Sequence, residues 1–334
     1  MSAFPSLKAA GAVALAAALL AAPLGAASAE TLRIAGNFAA AHSSSKAMEG
    51  FAADLKQRTN GALEADLFPG MQLGSARENV DAVRAGTIFG TWIGPGFLSR
   101  LVPEIEAVSL PFVFNDSATA FRVIDGPVGD KLNEKMADKG FLVLGWMELG
   151  LRNVTNSKRP ISSADDLKGL KLRMQPNETH LATFRALGAS PISMDVKELY
   201  SALQQGVVDG QENPYSIIAA NRYFEVQKYL SNTGHFFDFI VVVVNKKQFD
   251  ALSPANKAAL TAAVKGAVTA QRAASAGEQA AALKELQAKG MEYTVLTPEA
   301  LAVFRERTSG IVDEVKKRAG PELVDLVLKE AKAQ

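Results

Sequence analysis

The chain has 334 residues, 48% hydrophobic and 21% charged, with no Cys and three His. It therefore offers no disulfide framework, no thiolate metal site and no cysteine nucleophile, and so few histidines make a zinc or triad enzyme a poor fit. With 36 Lys and Arg against 35 Asp and Glu, it lacks the basic excess of a nucleic-acid binder.

Residues 1–8 hold one positive charge, Lys8, and an uncharged run from Ala9 to Ala22 follows. Pro23, Gly25 and the small-residue site Ala27-Ser28-Ala29 come next, the three-part pattern of a secretory signal peptide cut after Ala29. The apolar run is shorter than the ~20 residues of a bilayer span. An exported, freely soluble mature chain is expected.

Beyond it, strands and helices alternate. Residues 32–36 read as a strand, Ser43–Arg58 as a helix with Ala47, Phe51 and Leu55 on one face, and Leu63–Phe68 as a strand closed by Pro69-Gly70. Ser75 and Glu78 stand at capping-box spacing before a helix that ends at Gly86. Residues 87–93 predict a buried strand, 121–139 a helix and 141–146 a strand. The middle repeats this order: strand 170–174, helix 178–187, strand 191–194, a capping box at Asp195 and Glu198, and a short strand 207–209 running into a Gly210–Pro214 loop. Residues 239–244 are β-branched and apolar, a central strand by composition. Residues 254–289 form one helix of about 54 Å at ~1.5 Å per residue, long enough to run across two lobes. The tail 298–333 reads as two helices parted near Gly320-Pro321. The βαβ rhythm, without repeats or linkers, predicts a parallel or mixed sheet covered by helices in two lobes joined by several crossings.

No dinucleotide, P-loop or nucleophile-elbow pattern occurs, so catalysis has no anchor. Arginine offers more. In Leu170-Lys-Leu-Arg-Met174 the two cations share one face and the three apolar residues the other. Lys171 and Arg173 either wet an outer face, or Arg173 stands at the carboxyl end of a strand, where open α/β sheets bind ligands. A guanidinium there takes a carboxylate through two parallel hydrogen bonds. Arg152, after strand 141–146, is the same kind of candidate, with a surface ion pair as the alternative.

The pieces Asp166-Leu-Lys-Gly-Leu-Lys-Leu-Arg173, Ala186-Leu-Gly-Ala-Ser-Pro191 and Glu198-Leu-Tyr-Ser-Ala-Leu-Gln-Gln-Gly-Val-Val-Asp-Gly-Gln-Glu-Asn-Pro214 occur in order. Gln72-Leu-Gly74, Leu110-Pro-Phe112, Glu225-Val-Gln-Lys-Tyr-Leu230 and Thr233-Gly-His235 flank them. Together they resemble the solute-binding proteins of tripartite ATP-independent periplasmic (TRAP) transporters, the dicarboxylate-type family, over essentially the whole mature chain. The resemblance implies an α/β, two-lobed periplasmic-binding-protein-like (type II-like) fold with a central cleft and a long helix crossing both lobes. Lobe I would hold 30–150 plus about 236–275, and lobe II 151–235 plus about 276–334.

It further implies that Arg173 anchors a ligand carboxylate, that Arg152 contacts the ligand from the same lobe, and that Asn213 supports the salt bridge. Asn37 and His42 would be the opposing lobe's contribution. Trp92, Tyr215, His235 and Phe236 fall in stretches that line the cleft, with core packing as the alternative for the aromatics and a satisfied loop residue for His235. The neutral Gly74-Ser-Ala76 and Trp92-Ile-Gly94 depart from members that bind bulky sugar acids such as sialic acid. The expected ligand is a C4-dicarboxylate or similar small organic acid, captured by hinge closure and delivered to integral membrane permease subunits. The implied protein is a periplasmic monomer, not an enzyme, with no cofactor or metal. A binding protein for an ATP-driven importer or a sensor kinase, or an exported enzyme, is the alternative.

Overall fold

The computed structural model describes residues 1–2 and 29–333, so the expected signal peptide over 1–29 lies almost wholly outside the described residues. The first half runs β1 (Glu30–Gly36), α1 (Ser43–Arg58), β2 (Leu63–Phe68), α2 (Ala76–Ala85), β3 (Gly90–Ile93), α3 (Ser117–Ile124), α4 (Pro127–Asp138) and β4 (Phe141–Asn156). The second runs β5 (Lys171–Met174), α5 (Glu178–Ala186), β6 (Ser190–Ser193), α6 (Val196–Gln204), β7 (Gly210–Asn213), α7 (Tyr215–Ala220) and β8 (Tyr229–Asn245). Then follow α8 (Lys246–Ala251), α9 (Pro254–Ala288), β9 (Glu292–Val295), α10 (Pro298–Thr308), α11 (Ile311–Ala319) and α12 (Pro321–Lys332).

Among the described residues nine strands form one sheet in the order β2-β1-β3-β8-β4-β7-β5-β6, with β9 beside one end of β8. The triplet β2-β1-β3 is parallel, as is β7-β5-β6. Between them β4 and β8 run antiparallel to each other over 16 and 17 residues and join the two lobes. Side chains along β8 alternate between two cores. Phe239, Val241 and Val243 face Val80, Val123, Leu132 and Val324, whereas Ile240, Val242 and Val244 face Phe51, Trp92 and Val264. A central strand buried on both faces needs this continuous apolar run. A third core, with Leu172, Met174, Phe184 and Phe304, fills the second lobe. The 35-residue α9 packs on α1 of one lobe and α7 of the other, so the long helix does cross both.

Several expected elements differ. The helix read over 121–139 is two, because Gly126 and Pro127 start a new one; Pro at the first turn lacks only an N–H that would be unpaired anyway. Strands read as 141–146 and 239–244 extend through polar residues whose partners lie inside the protein, not in water. The strand read over 207–209 is instead the polar β7, Gly-Gln-Glu-Asn, buried throughout between β4 and β5. The capping box forms at Ser75 and Glu78 as expected. At Asp195 only the aspartate caps, accepting from the Lys197 N–H. The tail holds three helices, parted also at Ser309-Gly310. While α10 lies against α5, α11 and α12 bury Ile311, Val315, Val324 and Val327 in the first lobe's core, with α11 also touching α5 through Arg318 and Thr179.

Candidate functional site

The parallel strands of both lobes end at one place. Asn37 and Phe38 follow β1, Gly94 follows β3, Gln175 follows β5, Val196 comes shortly after β6, and Asn213 ends β7; all line one small cavity between the lobes. This is where a doubly wound sheet offers its carboxyl ends to a ligand. Arg173 reaches the cavity from β5 and Arg152 from β4, next to a register irregularity between Arg152 and Val154 that re-aims the strand.

The lobes are closed on each other. Ser99 Oγ donates to Pro176 O at 3.2 Å, and His42 Nε2 meets Ser216 Oγ at 3.3 Å. Gly96 faces Gln175 at the contact, where a Cβ would stand 2.7 Å from Gln175 Cδ. What remains between the lobes is a small cavity of about 40 Å³.

The two arginines differ in kind. Arg152 is enclosed by acceptors: Glu212 receives its Nε and Nη2, the Glu212 carbonyl a further Nη2 hydrogen at 2.6 Å, and Asp238 its Nη1 at 2.9 Å. His235 Nε2 lies 3.1 Å from the same Glu212 carboxylate. Although burial pushes the Glu212 carboxyl up, the Arg152 charge and bonds from His180, His235 and Arg152 hold it well below the usual carboxylate range. Arg173 has no such cage. It is 1% exposed, its Nε donates to Met194 O at 2.9 Å, and its Nη2 finds no partner among the described residues. Burial first, and the Arg152 charge after it, pull the guanidinium down to about 10, against opposing pulls from Tyr223, Glu212 and Asp195. Two arginines and two carboxylates sum to zero here. Both carboxylates are held on Arg152, so Arg173 is left without an ion pair among the described residues.

Of the residues singled out on sequence, Arg173, Arg152, Asn213 and Asn37 come together at the cavity. The other five stand behind its wall. His42 caps α1, stacks on Phe38 at 5.2 Å and bridges to Ser216. Trp92 packs on Phe51 in the core, Tyr215 shares a 3.3 Å contact with the Tyr293 hydroxyl, and Phe236 stacks on His180 at 3.9 Å. His235 backs Glu212 and so reaches the site only through Arg152. Sequence reading missed Phe38, Phe97, Leu149, Gln175, Val196, Ile217 and Asn221. Phe38 and Gln175 were findable, since each follows a predicted strand end; the rest arrive through tertiary packing. A larger concavity, about 860 Å³ between α1, α7 and α9, is walled mainly by alanines and holds neither arginine.

Residues 34–318 match the model of the DctP family, bacterial extracellular solute-binding protein, family 7. The 2,3-diketo-L-gulonate-binding periplasmic protein of Escherichia coli is 36% identical over 273 residues, 82% of this chain and 83% of that protein. A sugar acid binding protein from Advenella mimigardefordensis, solved in complex with galactonate, superposes with a TM-score of 0.89 at 34% identity, over 91% of this chain and 98% of that one. A TRAP periplasmic solute binding protein from Sulfurospirillum deleyianum, solved with bound succinate, does so at 0.85 and 29% identity, over 89% and 97%. A family match across most of the chain, on a two-lobed sheet whose strand ends converge on a buried arginine, makes this chain a member of the family 7 extracellular solute-binding proteins, those that serve TRAP transporters.

Proposed function

We propose that the protein captures a small organic acid between its lobes in the periplasm and hands it to TRAP permease subunits. The observation that carries this is Arg173, a buried guanidinium lining the interlobe cavity with no protein carboxylate paired to it. An unpaired buried charge is costly to keep, and a ligand carboxylate removes that cost by supplying the missing partner. In so dry a site the pair is worth far more than the 0–1 kcal/mol of a surface salt bridge. Asn37 and Phe38 belong to the first lobe and the arginines to the second, so the full set of contacts exists only when the halves meet, and ligand shifts the population toward closure.

The acids bound by the relatives, galactonate, succinate and diketogulonate, support a carboxylate as the common feature. Arg173 grips it, Arg152 shapes the wall, and Asn213 and Asn37 contact the solute from the two lobes. The protein acts by binding and not by chemistry, as a monomer freed of its signal peptide after Ala29. Among the described residues no helix is long and apolar enough to cross a membrane. Calorimetry and thermal shift against a panel of organic acids test the reading. A carboxylate is expected to bind and raise the melting temperature by mass action, and Arg173→Ala to weaken it at least about a hundredfold. A neutral sugar as the sole ligand, or an undiminished Arg173→Ala, would refute it.

A further inference from the structure

Behind the cavity the two lobes also meet along a polar seam. After β3 the first lobe forms a short helical turn, Pro103–Val108, whose Ile105 and Val108 share a core with Ile311 and Val315 of α11. The second lobe presents the start of α5 to this turn. Ser99 Oγ donates to Pro176 O at 3.2 Å, Asn177 Nδ2 to Ser109 Oγ at 3.4 Å, and Thr179 Oγ1 to Glu106 Oε2 at 2.8 Å.

Glu106 already has a counter-ion on its own side. Arg318 of α11 donates its Nε to the same Glu106 Oε2 at 2.9 Å, and the carboxylate is 5% exposed. The turn and α11 share one core, so this ion pair lies within the first lobe. Arg318 Nη2 reaches across and donates to Thr179 Oγ1 at 3.0 Å. A guanidinium only donates and a carboxylate only accepts, so the roles of the hydroxyl are fixed: it takes a hydrogen from Arg318 and gives its own to Glu106. The Asn177 amide is oriented in the same way, because its Oδ1 accepts the His180 N–H at 3.1 Å as the cap of α5. Glu106, Thr179 and Arg318 all stand outside the lining of the interlobe cavity.

A seam of hydrogen-bonding groups parts at less cost than an apolar one, because water replaces each lost partner, and surfaces between domains that move are correspondingly polar. Ala182, one turn further along α5, adds only a small apolar contact to the first lobe's core. We propose that Thr179 is a closure latch: its hydroxyl seats in the Glu106–Arg318 pair of the opposite lobe and, by holding the lobes together, sets the solute affinity without touching the solute. This rests on capture by closure. The apparent dissociation constant is that of the closed form divided by the closed fraction, and contacts made only on closing enter through that fraction. The tail thereby takes part in binding, since α11 supplies Arg318. Thr179 is a positioning residue, not a contact of the solute.

Galactonate and succinate, the acids held by two solved relatives, are the probes, titrated by calorimetry into the mature protein. Thr179→Val removes the hydroxyl and keeps the shape. It should raise the Kd about three- to tenfold, with faster release, while Thr179→Ser stays within about twofold of the parent. Because the chain has no Cys, spin labels at Arg84→Cys in α2 and Gln205→Cys after α6, both exposed and one in each lobe, report the interlobe distance. At equal solute the closed component should shrink in Thr179→Val. A threonine with a merely structural role would lower urea stability and leave the distances and the affinity alone. An unchanged Kd in a folded Thr179→Val overturns the latch and leaves carboxylate capture intact. Should neither acid bind the parent, capture itself loses its support; the distances without solute then decide the latch, and identical distributions in parent and variant overturn it. If the valine variant does not fold, Thr179→Ala deletes the same hydroxyl and is read by the same criteria.

Discussion

Two buried arginines, on the strands β4 and β5 that flank β7, carry opposite consequences for stability. Removing the Arg152 charge leaves Glu212 and Asp238 facing each other without a counter-ion, a loss of about 3–5 kcal/mol. Removing the Arg173 charge relieves a guanidinium that has no carboxylate of its own. Methionine keeps most of the stem packing in either place. Without ligand, Arg152→Met should therefore unfold at markedly lower urea, while Arg173→Met should match or exceed the parent. A comparable loss in both variants would mean that Arg173 already has an internal partner. In the sequence, Arg173 stood out by its place in an alternating strand. The cage around Arg152 was invisible, because Glu212 and Asp238 lie 60 and 86 residues away.

At the level of elements, the site is a meeting of strand ends, and the turn after β3 sets how closely the lobes meet. Gly96 faces Gln175, whose amide is tied to Asp238, so an added methyl either breaks that hydrogen bond or props the cleft open. Gly96→Ala should weaken solute binding about tenfold, equivalent to about 1.4 kcal/mol, while urea unfolding stays within about 0.5 kcal/mol of the parent. Tight binding by the variant would show that the turn yields without cost. The elements most visible beforehand were those with amphipathic or apolar periodicity: α1, the capped α2, the apolar half of β8 and the long α9. The strand β7 was read as a loop because its residues are polar, and polar residues are buried in a central strand only when distant partners satisfy them.

Across the whole molecule, His42 joins the first lobe to Ser216 of the second and to Glu278 of α9, the latter at 3.8 Å. Burial pushes its pKa down, as does Lys46, while Glu278 pulls it up; the net shift is downward. His235 is likewise lowered, by burial first, then Arg152 and His180, against Glu212. A histidine lowered on folding takes up its proton first in the unfolded chain, so stability is full above about pH 6.5 and falls as the pH drops below it, until the folded-state value is reached. The slope is at most about 1.4 kcal/mol per pH unit per histidine. Glu148, raised by burial, works in the opposite sense at lower pH. Urea unfolding at pH 7.5 and 5.5 should therefore show a loss that is smaller in His42→Gln; an identical loss in both would remove His42 from the account. The same closure couples ligand to shape, and family membership assigns it to a TRAP system in place of an ATP-driven importer.

Length, the absence of cysteine, balanced charge and the period of apolar residues determined by themselves an α/β protein with a long helix spanning two lobes, and an ordered set of short motifs pointed to its family. Those features are local, since propensity, periodicity and caps act within a turn or two of the chain. Which arginine is free of a carboxylate and which tail helices cover the first lobe were decided only by tertiary structure. Each depends on what a side chain meets from residues far off in the chain, and burial makes that meeting decisive by withdrawing water as the alternative partner.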